Sequence, residues 1–223
     1  FALPLLANYV GSKVDRTRLT IVSPDSGRVR VAERWSDLLG GCPIAFIHKK
    51  KSLSHKEFQL YYETKHSPLA KSLLTFEHYE RNYVDLAFSS SNDAIGSVSI
   101  FKYESEKSLG VIAEQMGSSA GDVLKEDELN FMDVPLNFYV FTGSSENLTS
   151  TFQRKIFYLA MEESDLQMLE SQAGLEKISD NLVSDHHEII GVPEYGIMQH
   201  MQLEDLQVVQ KKFPNLIFTN TIS

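Results

Sequence analysis

The residues best suited to chemistry lie in Ser54 to Leu69, SHKEFQLYYETKHSPL, and centre on His66. An imidazole titrates near neutral pH, so it serves as general acid or base once its second nitrogen is held in place. Phe58, Tyr61, Tyr62, His66, Leu69 and Leu73 recur at three- and four-residue spacings and share one helix face. His66 is therefore inside or at a wall. Tyr62 and Asn82 are further catalytic candidates, offering a hydroxyl and an amide. Tyr61, Tyr79, Tyr83 and Phe58 are candidate walls of a ligand cavity. The competing reading is a histidine satisfied by a backbone carbonyl near a helix end, among tyrosines that are core residues with a polar handle.

The element that must position His66 has a marked start. Ser54 and Glu57 form an S-x-x-E capping box, which satisfies two orphan backbone donors. Pro68 removes a donor and disfavours helical angles at Ser67, so the helix is expected to kink or end just after His66. A ring nitrogen is then left facing a cavity.

Other motifs carry less. In Asp185-His186-His187-Glu188, alternate residues of a strand share a face, so only two ligands could meet a metal, and a surface turn is the better reading. Lys49-Lys50-Lys51 could meet an anion, against a solvated strand end. Asp25, in the turn Ser23 to Gly27 that follows a strand (Leu19 to Ser23), is either a metal ligand or a turn residue bonded to its own backbone. A helix over about Val29 to Leu39, closed by Gly40 and Gly41, follows it. No motif calls for a cofactor.

From Ile44 the pattern reads as strand (Ile44 to Lys51), helix, strand (His78 to Leu86), strand (Ala94 to Tyr103), a helical region interrupted at Gly117, and strand (Asn137 to Thr142). That order is the split βαβ, ferredoxin-like arrangement. Both strand faces in the middle are apolar, as expected when one packs on helices and the other lines a barrel. After a polar linker (Gly143 to Ser150) the plan repeats: strand Lys155 to Met161, a helix from Ser164 to about Leu182, strands Glu188 to Val192 and Tyr195 to Met201, helix Leu203 to Phe213, strand Leu216 to Ile222. The fold class is thus α+β, with ferredoxin-like modules of the dimeric α+β barrel type after an N-terminal strand-helix segment. The units are residues 1–42, 43–143 and 151–223. The two modules are expected to pack sheet to sheet as an intramolecular pseudo-dimer, with a homodimer as the alternative, since an isolated four-stranded sheet exposes an apolar face.

Composition is that of an ordinary globular chain, 42% hydrophobic and 23% charged. The net charge of −9 is split: residues 1–49 carry seven Lys/Arg against four Asp/Glu, and the rest carry 14 against 26. An acidic body argues against nucleic-acid or anionic-membrane partners. The single cysteine, Cys42, excludes an intrachain disulfide and suits a reducing compartment. The apolar start FALPLLANYV is too short to span a bilayer and lacks preceding basic residues, so a cytoplasmic location is expected.

Two stretches resemble known families. Phe1 to Lys49, through VSPDSGRVRVAERWSDLLGG and PIAFIHK, resembles an internal piece of ribose-phosphate pyrophosphokinase. That resemblance implies phosphoribosyl pyrophosphate synthesis with Mg and ATP, and a magnesium-binding role for Asp25. The chain departs from that family in having no Asp-Asp pair and hence no D-D-x-x-x-[ST]-G phosphoribosyl loop. The strand IAFIHKKK, the helix ending KHSPL, the strand RNYV (Arg81 to Val84) and ELNFMD (Glu128 to Asp133) resemble, in order, the EthD family of dimeric α+β barrels. The chain reads as composite, switching near Ile44 to Lys51. The EthD resemblance implies a small hydrophobic or aromatic ligand in a barrel cavity, with decarboxylation or cyclisation of an aromatic or polyketide-type acid through His66. A non-catalytic binding or assembly module is the remaining reading.

Overall fold

The computed structural model describes residues 42–88, 94–102, 106–142, 151–183, 186 and 188–222. Asp25, the N-terminal strand-helix expectation, the polar linker and both Asp185 and His187 lie outside them.

The described chain forms eight strands. They are β1 (Cys42–His48), β2 (His78–Val84), β3 (Ile95–Lys102), β4 (Phe138–Thr142), β5 (Arg154–Phe157), β6 (Leu175–Ser179), β7 (Glu194–Ile197) and β8 (Ile217–Ile222). The helices are α1 (His55–Tyr61), α2 (Ser67–Leu73), α3 (Glu106–Met116), α4 (Ser119–Glu128), α5 (Glu163–Leu166) and α6 (Leu203–Lys212). All strand pairs are antiparallel, in the order β4-β1-β3-β2-β8-β5-β7-β6. The first four strands and the last four therefore repeat one arrangement. This is an α+β fold of the barrel type.

Instead of two stacked sheets, the halves join edge to edge through β2 and β8, from Arg81↔Ile222 to Val84↔Thr219. Pairing two open edges satisfies backbone groups that stacking would leave bare. The sheet curls so far that its ends meet at one bridge, Thr142↔Val183, between β4 and the residues after β6. The concave face closes on a core drawn from both halves: Phe46, Val98, Ile100 and Val140 with Phe157, Val192 and Ile217. The convex face carries the helices, over Phe58, Tyr62, Tyr79, Tyr83 and Phe131 in the first half and over Ile156, Tyr195, Leu206 and Phe218 in the second.

Two expectations for the second half fail. Leu175–Ser179, read as helix, is strand β6, and α5 spans only Glu163–Leu166. The helix is capped at Gln167, and Gly174, at φ +85°, turns the chain so that Leu175 pairs with Ile197. Glu188 to Val192, read as a strand, makes only isolated bridges: Gly191 bridges Ala160 and Leu182, while the Glu188 and Ile189 amides donate to His186 Nδ1 at 3.2 and 3.1 Å. At Glu188 and Ile189 a local side-chain acceptor takes the place of a strand partner.

Candidate active site on the convex face

Helix α1 begins where its capping box places it. The Glu57 amide donates to Ser54 Oγ, and Glu57 Oε2 accepts from the Ser54 amide at 2.9 Å. The helix does not end at the proline. Tyr62–His66 forms a π turn, in which the Ser67 amide donates to the Tyr62 carbonyl, and α2 then runs to Leu73. A proline at position 68 cannot donate to the carbonyl four residues back. Widening the preceding turn accommodates that loss without breaking the rod, and such insertions recur at functional sites.

The π turn carries three polar side chains into the helix-sheet layer. His66 is 5% exposed, and its Nδ1 lies 2.9 Å from Asp127 Oδ2 at the end of α4. Tyr61 donates to the other oxygen, Asp127 Oδ1, at 2.8 Å. Phe131 holds the imidazole from below, its centroid 5.0 Å from His66 and 5.0 Å from Tyr61. Burial pushes the His66 pKa down, and the hydrogen bond and charge of Asp127 only partly restore it, so the ring is neutral at pH 7. The adjacent Glu128 carboxyl is raised to about 7, first by burial and then by the charge of Asp127.

Strand β2 sorts its residues by parity. Tyr79, Arg81 and Tyr83 face the helices. Tyr79 donates to the Tyr62 hydroxyl at 2.7 Å, which lies 3.1 Å from Ser99 Oγ. Arg81 grips Glu63 with two bonds, Nε to Oε1 at 2.8 Å and a terminal nitrogen to Oε2 at 3.1 Å, and Tyr83 donates to Glu63 Oε1 at 2.6 Å. Burial opposes ionisation of Glu63, yet these bonds and the Arg81 charge hold its pKa below the usual carboxylate value. Phe58 is fully buried against Tyr62, Tyr83 and Phe131. It seats directly over Gly96, where a Cβ would come within 2.5 Å of its ring. Gly96 is the extra residue of a bulge in β3, opposite the step from Ile47 to His48.

The structure thus brings together His66, Tyr62, Tyr61, Tyr79, Tyr83 and Phe58. It separates Asn82 from them. Asn82 points to the concave side, donating to Glu80 Oε1 at 2.9 Å and the Val98 carbonyl at 3.1 Å, and accepting from Thr221 at 2.6 Å. An even-numbered residue of β2 cannot share a face with Tyr79 and Tyr83. Sequence reasoning missed Asp127, Glu63, Arg81 and Phe131. Phe131 lies within ELNFMD and Arg81 opens RNYV, and neither was assigned a role there.

Space around the site is limited. A groove of about 310 Å³ runs past Leu53, Leu60, Tyr61, Lys65 and Asn130, and one of about 590 Å³ past Lys50, Lys51, Leu129, Met132 and Pro135. Neither is lined by His66. Beside the imidazole pack the rings of Tyr62 and Phe131, each with its centroid 5.0 Å away. Among the described residues no group of three His, Cys, Asp or Glu is placed to hold a metal, and no helix is long and apolar enough to cross a membrane.

The helix-sheet layer, with its histidine and ELNFMD segment, coincides with a known domain. Residues 50–135 match the EthD domain. The EthD region thus takes in α1, the π turn, α2, β2, β3, α3 and α4, and with them His66, Glu63, Tyr79, Arg81, Tyr83, Asp127 and Phe131. Separately, short segments match ribose-phosphate pyrophosphokinases. The Streptomyces coelicolor protein is 69% identical over 51 residues, which is 23% of this chain and 15% of that one. The Mycobacterium leprae protein is 55% identical over 49 residues, 22% and 15% respectively. The chain therefore spans about 15% of the length of these curated relatives, and its sequence is composite. A crystal structure from Lactobacillus acidophilus NCFM, described as a "putative monooxygenase", aligns over 81% of this chain and 93% of its own, with 10% identity and a TM-score of 0.38.

Proposed function

We propose that the EthD region binds a small aromatic or polyketide-type acid in the layer between the π turn and strands β2 and β3, and that His66 acts there as general acid and base. The observation that carries this reading is the 2.9 Å contact between His66 Nδ1 and Asp127 Oδ2. A carboxylate accepting from Nδ1 fixes the tautomer, leaving the Nε2 lone pair as the base, and stabilises the imidazolium once it has taken a proton. The lowered pKa keeps that lone pair available at neutral pH. In a decarboxylation His66 first takes the proton of the substrate's carboxyl group, the imidazolium then protonates the ring carbon that bears the carboxylate, and the electrons of the breaking C–C bond restore the aromatic ring as carbon dioxide leaves. The Tyr79–Tyr62–Ser99 chain offers hydroxyls to the substrate's own oxygens.

Ligand entry requires the Tyr61–Phe131 stack to shift, since these rings occupy the space beside His66. Tyr61 lines the 310 Å³ groove, which gives a route from the surface. Asp127→Asn tests the orienting role. Turnover of an aromatic acid should fall at least tenfold and the acidic limb of its pH–rate profile should move, whereas an unchanged profile would show that Asp127 only packs.

The filled layer favours a second reading, a non-catalytic binding or assembly module. Ligand-induced stabilisation by aromatic acids with no turnover, in a protein that forms a defined oligomer, would select it.

A further inference from the structure

Arg81 is a buried cation whose anion comes from a less buried partner. Its side chain is 2% exposed, and that of Glu63 is 25% exposed. Glu63 stands on the π turn, three residues before His66. Its carboxylate fills a receptor made of the Arg81 fork and the Tyr83 hydroxyl. A guanidinium meeting a carboxylate with two parallel bonds is the usual geometry of carboxylate recognition. The walls of the receptor are aromatic: the Arg81 guanidinium lies 5.0 Å from the Tyr79 ring, and Tyr62 meets Tyr83 edge to face at 5.8 Å.

One further group here is unused. Ser97, paired across the sheet with Tyr83, is fully buried, and its Oγ has no hydrogen-bond partner among the described residues. A buried hydroxyl without a partner is destabilising, and a ligand atom that meets it recovers part of that loss. We infer that Arg81 is the carboxylate receptor of the site, that Glu63 occupies it in place of the ligand, and that an aryl carboxylate displaces Glu63 toward solvent while a ring substituent meets Ser97. This rests on reading the convex-face layer as the ligand site, and assigns the substrate class by charge. Glu63 is then a gate: its carboxylate competes for the same fork, so weak acids bind only when it yields.

The test uses Glu63→Ala with benzoate and its neutral isostere benzamide. The variant should melt below the wild type because Arg81 loses its partner. Millimolar benzoate should restore several degrees, benzamide should not, and benzoate should bind the variant at least tenfold more tightly than the wild type. Glu63→Gln, which keeps the shape, should show the same preference if the alanine variant folds poorly. Glu63→Gln with Arg81→Met should abolish it. Equal effects of benzoate and benzamide, or persistence of the preference without Arg81, would overturn the inference. Loss of turnover in a His66 variant whose benzoate response is intact bears on the acid-base reading alone, so the two claims fail separately.

Discussion

Lys155 Nζ, on β5 of the second half, lies 2.7 Å from Glu80 Oε1, on β2 of the first, and 2.7 Å from Glu194 Oε1 on β7. Lys155 is 1% exposed, so this ionic bridge crosses the join between the halves inside the curled sheet. Breaking one partner of a buried pair costs about 3–5 kcal/mol, because the remaining charge stays desolvated. Lys155→Met should therefore lower stability by about that amount, and adding Glu80→Gln and Glu194→Gln should recover most of it. Denaturant melts of the single and triple variants check this. A silent Lys155→Met would mean that the triad contributes nothing to holding the halves together.

The pH dependence has two opposed parts. The folded-state pKa of His66 lies below its unfolded value of 6.5, so its contribution to stability is full above that value and is lost as pH falls through the folded pKa. Glu128 is shifted up, from 4.5 to about 7, so its contribution is present below 4.5 and is lost as pH rises toward 7. Glu128→Gln should accordingly gain on the wild type between pH 5 and pH 8, by roughly 1 kcal/mol or more, a few degrees in Tm. His66→Gln should lose the wild type's decline below pH 6.5. Melting curves at pH 5, 6.5 and 8 measure both.

Ribose-phosphate pyrophosphokinase activity is expected to be absent. This chain has no Asp-Asp pair and hence none of the loop that grips the ribose and phosphate. Asp25→Ala should leave any activity of the EthD region unchanged. Turnover of ribose 5-phosphate with ATP and magnesium by the pure protein would contradict this.

Much of the convex face was legible because its signals are local. The Ser54–Glu57 box, the Phe58–Tyr62–His66 stripe and the bulky strand around Tyr83 all follow from spacing within about 30 residues. The partners of His66 and Arg81 were not, because Asp127 is 61 residues from His66, and Glu63 and Arg81 stand on different elements 18 residues apart. The π turn escaped for a related reason: sequence shows that Pro68 interrupts a hydrogen bond, and only packing decides between a kink and a wider turn. Asn82 was misplaced by ignoring parity within HYERNYV. In the second half, Leu175 to Ser179 has a spacing compatible with either period, and only the pairing with β7 makes it a strand.

His66→Gln keeps a hydrogen-bonding group of similar shape opposite Asp127, and so separates acid-base chemistry at this position from packing. Turnover of an aromatic acid and the melting temperature should be measured on the same preparation. Loss of a positioned acid-base group costs about 10² to 10⁴ in rate, so kcat should fall by that order while the melting temperature at pH 8 stays within a few degrees of the wild type. Undiminished turnover with a clearly lowered melting temperature would contradict this and make His66 a packing residue.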